Sequence, residues 1–465
     1  MKPRFVTDLA CLGALAGALC LVTAARAAGP ILIDHNDCDI ASIPQADIQR
    51  AKDTLHIAYG HTSHGSQLTT GMTPLDAFMQ TRYGTPAGLY TWTDGGTGDT
   101  LDIDDAPFSG ASDLGNPNFT AWEAATRTYL AGHPNCNVVI WSWCGQVSGA
   151  TEANINTYLS LMTGLENDFP NVRFVYMTGH LDGTGAAGNL NVRNQQIRNY
   201  CIAHNKILYD FADIESYDPD GLTHYMPLLC NDNCDYDSDG NGSRDRNWAT
   251  VWQNAHPGQW YSCSAAHTQP LNGNRKAYAA WALWAALARP SEVTLVRWEL
   301  LAPHGAAGTL GVEIGDGGVE PRGQGVTQLR LTFDYPLDPA TVDNDAVTVD
   351  GRTTASCVLE DGNRVLVATL TTALPSGARY EALLAAAVRG EGDAPVVGDT
   401  SLSFAVLVGD ANGSGSVNAA DILAVRARAG AAVNGDTARY DVDGSGEITS
   451  EDMRLLRPLQ GQVLP

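Results

Sequence analysis

The sequence predicts an α/β fold with a mostly parallel sheet and helices on both faces. A small β-sandwich and a calcium-binding helical module follow it. Three observations lead there. Over residues 29–290, short apolar runs alternate with stretches of helical periodicity. Over residues 291–405 the runs become short and alternating, punctuated by Gly, Pro, Asp and Asn. Over residues 406–465 an acidic loop pattern occurs twice. Alternating strand and helix signals argue a parallel sheet, and turn-punctuated alternating runs argue antiparallel sheets packed face to face.

The chain opens like an exported protein. Lys2 and Arg4 precede an apolar stretch from Leu9 to Val22, and "AARAA" supplies small residues for cleavage near Ala28. Residues 1–28 therefore read as a signal peptide, which predicts a secreted, extracellular or cell-surface protein. No other segment is long and apolar enough to cross a bilayer. The formal net charge of −24 would repel nucleic acid and anionic membrane, although bound Ca²⁺ would neutralise part of it. Ten cysteines are present, with Cys11 and Cys20 in the signal. Export predicts disulfides among the rest. Cys230-x-x-x-Cys234 reads as a disulfide or calcium-loop staple, with zinc ligation as the alternative.

The elements of residues 29–290 follow in order. "TLHIAY" and "NVVIWSW" read as strands on either side of the helical "FTAWEAATRTYLAG". "TEANINTYLSLMTGLENDF" places Ile155, Leu159, Met162, Leu165 and Phe169 at helical spacing, so one face should pack on the sheet. "VRFVYMTG" and "KILYDFA" are strands around the helix "NVRNQQIRNYCIAHN", and "NRKAYAAWALWAALA" is a final long helix. Ligands of such sheets bind beyond the C-terminal ends of the strands. The loop "YGHTSHGSQL" (59–68) lies at such an end.

In the second region "LRLTFDYPLDPATV" resembles the Ig-like repeats of secreted bacterial enzymes, which implies a spacer or accessory domain. The tail carries the clearest motif. "DANGSGSVNAAD" puts Asp410, Asn412, Ser414, Ser416 and Asp421 at loop positions 1, 3, 5, 7 and 12. "DVDGSGEITSED" repeats this with Asp441, Asp443, Ser445, Glu447 and Asp452. Oxygen ligands at this spacing, with Gly at the tight turn, suit Ca²⁺. Each loop leads into a short helix. The duplicated pattern resembles a type I dockerin, and that resemblance implies a cohesin-bearing partner. A further acidic run, "CDYDSDGNGSRD", offers Asp235, Asp237, Asp239, Asn241 and Asp245 as a structural calcium loop.

The reactive residues lie in the first region. A Ser-bearing loop follows its first strand, and His267 in "CSAAHTQPLNGNRKAY" stands just before the last helix. This order resembles the SGNH (GDSL-like) hydrolase superfamily over residues 50–290, whose sheet is of the flavodoxin-like kind. The resemblance implies Ser63 as nucleophile, with Ser66 and Thr62 as competitors, and His267 as general base. The acid usually found three residues before the His is Ser264 here, so either Asp210 or Asp213 serves in its place, or His267 works unaided, or the site has other chemistry. Gly145 and Gln146 of "WCGQ" would complete the oxyanion hole with the Ser63 amide.

The expected function is thus a secreted serine hydrolase acting on ester bonds. The dockerin resemblance biases the substrate toward polysaccharide. Two alternatives stay open. One is a non-catalytic glycan-binding protein on the same scaffold. The other is a glycoside hydrolase recruiting Asp182, Asp210, Asp213 or Glu215. His61, His64, His180, His224 and His267 with Asp182 could instead gather a zinc or other divalent ion. The blander readings are a turn serine at Ser63, a structural loop histidine at His267, and core packing for Trp141 and Trp143.

Overall fold

The computed structural model describes residues 29–465. The expected signal peptide, with Cys11 and Cys20, lies outside the described residues. The first sheet has seven strands: β1 (Ile31–Ile33), β2 (His56–Gly60), β3 (Trp92–Thr93), β4 (Leu101–Asp105), β5 (Val138–Trp141), β6 (Arg173–Met177) and β7 (Ile207–Tyr209). Their spatial order is β1-β7-β6-β5-β2-β4-β3, and every pairing is parallel.

Parallel strands need crossovers, and helices lie in all of them except the β3–β4 connection. The crossover helices are α1 (Gln45–Thr54), α2 (Ser66–Met72), α3 (Leu75–Tyr83), α4 (Ala121–Gly132), α5 (Gln146–Gly149), α6 (Glu152–Asp168) and α7 (Asn189–Ala203), while α8 (Phe211–Ile214), α9 (Trp248–Ala255) and α10 (Pro270–Ala288) follow β7. Alternate strand residues feed two cores. Ile57, Tyr59, Val138, Ile140, Val175 and Met177 face one side with residues of α1, α2, α3 and α10. Ala58, Val139, Trp141, Phe174 and Tyr176 face the other with residues of α4, α6 and α7. The helical spacing read in α6 has this cause: Ile155, Leu159, Met162 and Leu165 are all buried. Phe169 caps that helix and is only partly buried.

The strand order places the site. After β2 the chain builds outward through β3 and β4 on one side, and from β5 through β6 and β7 on the other. The direction reverses between β2 and β5. A crevice opens at such a reversal, beyond the C-terminal ends of the two strands. Those ends carry Gly60 and Trp141, which are register partners.

Residues Val293–Val406 form two further sheets, of seven and five strands. They share one apolar core that includes Leu300, Leu329, Leu366, Val347, Leu402 and Phe404. The C-terminal segment folds around helices α11 (Ala419–Arg426) and α12 (Ser450–Leu456). Among the described residues, no helix is long and apolar enough to cross a membrane.

The disulfides expected from export are not formed. Cys38, Cys136, Cys144, Cys201, Cys230, Cys234, Cys263 and Cys357 are all free thiols. Cys136 lies against the Val138 carbonyl at 3.4 Å, and Cys357 lies against Thr354 in the second domain at 3.2 Å. Cys230 faces the Asn231 carbonyl and Cys234 faces Thr268, so the pair does not act as a staple.

Candidate functional site

Four loops meet at the reversal between β2 and β5. The first, after β2, carries Ser63 and His64. The Tyr59 hydroxyl anchors it by donating to the Gly65 carbonyl at 2.8 Å, and the Ser66 amide closes its turn on the Thr62 carbonyl at 3.0 Å. Gly65 is required by close approach: a Cβ there would lie 2.1 Å from Ser142 Oγ. The second loop, after β5, carries Cys144, Gly145 and Gln146. The third, after β6, carries His180. It bridges backbone-to-backbone to the turn around Asn231, which delivers Asp232. The fourth, before α10, carries His267. Gln67 of α2 donates to the Ala266 carbonyl and accepts from Lys276, so α2 holds this loop in place.

At the centre three imidazoles stack. His64 lies between His180, with centroids 3.7 Å apart, and His267, with centroids 4.4 Å apart. His64 Nε2 is 3.0 Å from Asp232 Oδ2, and His64 Nδ1 is 3.4 Å from Cys144 Sγ. His180 Nδ1 is 2.9 Å from the Leu181 carbonyl oxygen. His64 and His180 are buried. Burial lowers the His180 pKa, and the repulsion of His64 adds to this against the pull of Glu215. The Asp232 carboxyl is raised by burial, but the His64 hydrogen bond and the charges of His180 and His64 leave it below its usual value. His267 is exposed, and its backbone sits in the left-handed region at φ 63°. Non-glycine residues held there are strained, and such strain concentrates at functional sites.

The other expected site residues fall in several places. Ser63 is half-buried, next to His64, and no hydrogen bond joins its Oγ to His267 among the described residues. Gly145 is exposed, and a Cβ there would meet nothing within 4 Å. Gln146 is held at both ends: its Nε2 donates to Asp113 at 2.9 Å and its Oε1 accepts from the Cys144 amide at 2.9 Å. Asp113 also takes the Thr62 hydroxyl, so Thr62 and Gln146 brace the two loops.

Asp213 faces another cluster, in which it pairs with His35, and His35 and His224 stack on either side of Tyr217. Asp210 is paired with Arg198, and Glu215 is fully buried against Lys276. Asp182 accepts from Ser148 and Thr184. His61 is bonded to Asp105 at 2.7 Å, and Trp141 and Trp143 are core residues. Sequence reading missed Asp232 and Cys144. Nothing in the local sequence ties Asp232 to a histidine 168 residues earlier.

Among the described residues, three groups have the composition and proximity to hold a metal: His64, His180 and Asp232; Asp34, His35 and Asp213; and Asp441, Asp443 and Asp452. The two C-terminal loops are geometric copies. Asp410 takes the amides of Ser414 and Gly415, as Asp441 takes those of Ser445 and Gly446. Asp421 takes the amides of Asn412 and Asn418, as Asp452 takes those of Asp443 and Thr449. Residues 408–458 match the Dockerin type I domain family. The dockerin-like module is not free-standing, because Asp441 also accepts from the buried His304 of the two-sheet region at 2.7 Å.

The insertion loop follows the same scheme from Asp237, which takes the amides of Asn241 and Gly242. Asp239 takes the Asn241 amide, while Asp235 turns instead to Asn233 and Asn247.

No curated protein matches the chain. Among solved structures, the S-layer protein rSbsC(31-844) aligns at 11% identity over 80% of this chain and 46% of its own, with a TM-score of 0.18. The N-terminal part of the bacterial S-layer protein SbsC aligns at 10% identity over 79% of both chains, with a TM-score of 0.19. The chain thus spans under half of the first of these, and at such TM-scores neither defines its fold.

Proposed function

We propose that the α/β domain is a secreted ester hydrolase of the SGNH kind, acting on a carbohydrate ester, and that the dockerin-like module docks it to a cohesin-type partner. Ser63 attacks the ester carbonyl while His267 takes its proton. His267 returns that proton to the leaving alcohol as the tetrahedral intermediate collapses to the acyl-enzyme. Water, activated by the same histidine, then releases the acid.

The observation that carries this reading is His267 itself. It is an exposed imidazole on strained backbone, stacked on the residue that follows Ser63. The placement of both loops at the strand-order reversal, in the order β4-β2-β5-β6-β7, supports a flavodoxin-like sheet. The Ser63 and Gly145 amides are the oxyanion donors in this reading, since Gln146 is engaged elsewhere. The glycosidase alternative needs two available carboxylates, and Asp182, Asp210, Asp213 and Glu215 all have partners.

The two-sheet region serves as an Ig-like spacer, and Ca²⁺ fills the two dockerin-like loops and the loop starting at Asp237. Hydrolysis of acetylated xylan by the wild type, lost in Ser63→Ala and His267→Ala variants that still fold, tests the reading. Equal activity in either variant would overturn it.

A further inference from the structure

We propose that Cys144 is a second nucleophile of the crevice, with His64 as its base and Asp232 as the residue that positions the base. Asp232 Oδ2 lies 3.0 Å from His64 Nε2, and its Oδ1 accepts from the Asn233 amide at 2.9 Å. A carboxylate so placed takes the Nε2 proton and leaves the lone pair of His64 on Nδ1. That nitrogen is 3.4 Å from Cys144 Sγ. Thiol, imidazole and carboxylate therefore stand in a chain, the arrangement that activates a nucleophile. Among the free cysteines of the described residues, Cys144 has the only sulfur within hydrogen-bond reach of an imidazole. The same geometry sets aside a shared metal ion. The His64 and His180 rings stack 3.7 Å apart with planes 1° from parallel, so their in-plane lone pairs run side by side and do not converge.

The surroundings fit a nucleophile. Cys144 follows β5 at the strand-order reversal and is partly exposed, while His64 is buried. Gln146 Oε1 accepts from the Cys144 amide at 2.9 Å and so fixes its backbone. Gly145 is exposed, so the chain next to the thiol faces solvent. The chemistry is acyl transfer from a carboxylic ester. His64 Nδ1 takes the thiol proton as Sγ attacks the carbonyl carbon. On collapse of the tetrahedral intermediate the C–O bond to the alcohol breaks, and the alcohol leaves with the proton from His64. An S-acyl thioester remains on Cys144. Water then attacks it, giving a proton to His64, and the departing sulfur takes that proton back as the acid is released. No step uses Ser63 or His267, so the thiol site goes beyond the function proposed above and does not depend on it.

Acylation reports the site directly. The full-length, calcium-loaded wild type is incubated with p-nitrophenyl acetate, quenched in acid and read by peptide mass. The expected adduct is an acetyl group on Cys144 that neutral hydroxylamine removes. It should form about 10²-fold or more slowly in His64→Ala. Alkylation by iodoacetamide at neutral pH gives a second readout. Cys144 should react about tenfold faster than Cys357, and fall to the Cys357 rate in His64→Ala and Asp232→Asn. Buried Cys136 and Cys201 should stay unmodified in both variants, which shows that the α/β domain is still folded. No acetyl group on Cys144 of the folded wild type overturns the inference, as does a Cys144 alkylation rate unchanged in both variants. Reaction of Ser63 with a fluorophosphonate is measured on the same preparations. Labelled Ser63 with unacylated Cys144 removes the thiol site and leaves the serine reading standing. Acetylated Cys144 with unlabelled Ser63 does the reverse.

Discussion

The imidazole of His267 lies over that of His64, with centroids 4.4 Å apart and planes 16° from parallel. His64 is in turn fixed by Asp232 on one edge and Cys144 on the other. The base assigned to Ser63 is thus positioned by stacking, with no carboxylate bonded to its own ring among the described residues. Removing a general base costs about 10²–10⁴-fold in rate. His267→Ala should lower initial rates of acetyl-ester hydrolysis within that range and leave the unfolding midpoint unchanged, because the ring is exposed. A rate within a factor of about two of wild type would contradict the assignment.

Lys276 and Glu215 form the ion pair beneath the site. Their charged atoms are 2.7 Å apart, both side chains are fully buried, and Lys276 also lies over the Phe211 ring. Removing one partner of a buried pair strands the other charge, at a cost of about 3–5 kcal/mol. Lys276→Met should lower the urea-unfolding free energy by about that amount, and the double variant with Glu215→Leu should recover a large part of it. A loss in the double variant equal to the sum of the Lys276→Met and Glu215→Leu losses would show that the pair is not coupled.

The free cysteines give a pH-dependent prediction. Burial pushes the thiol pKa of Cys38 and Cys263 up to about 11, and that of Cys136 and Cys234 up to about 12. A raised pKa means less thiolate near pH 8, so iodoacetamide should modify these residues slowly there, and faster as the pH approaches those values. Cys144 and Cys357, both partly exposed, should be modified first. Thiol titration of the unfolded, unreduced protein should count every cysteine after residue 28 as free. A shortfall by pairs would mean that disulfides form after all.

His304 couples the two-sheet region to the second acidic loop of the dockerin-like module. It donates from Nδ1 to Asp441 and accepts from Arg322 at Nε2, at 2.7 and 3.1 Å. Outer partners of a metal ligand are worth about 10–100-fold in affinity. His304→Ala should therefore weaken Ca²⁺ binding to the Asp441 loop within that range, and leave the Asp410 loop unaffected. Calorimetric titration would resolve the two loops. Loss at both, or at neither, would contradict the coupling.

Much of this was legible from local pattern. The helical spacing of Ile155, Leu159, Met162 and Leu165 reflects one buried face, and the two dockerin-like loops carry their acidic pattern within twelve consecutive residues. What escaped was either short or distant. The strand Ile31–Ile33 is an apolar run of only three residues, and Leu101–Asp105 is interrupted by three aspartates, so neither carries a clear strand signal. Asp232 reaches His64 only because the turn at Asn231 bridges to Asp182, a tertiary event with no local signature. Gln146 looked like an oxyanion donor from its place after a strand, but Asp113 from another loop claims its amide. Export suggested disulfides, while cysteine spacing carried no information on whether any two sulfurs meet.

The central claim is that Ser63 is a nucleophile activated by His267. The most direct measurement is reaction of the folded, calcium-loaded protein with a fluorophosphonate, followed by peptide mass analysis. The account predicts a single adduct on Ser63, absent from Ser63→Ala and strongly reduced in His267→Ala. An adduct at Ser66 or elsewhere, or no adduct on folded protein, would contradict it.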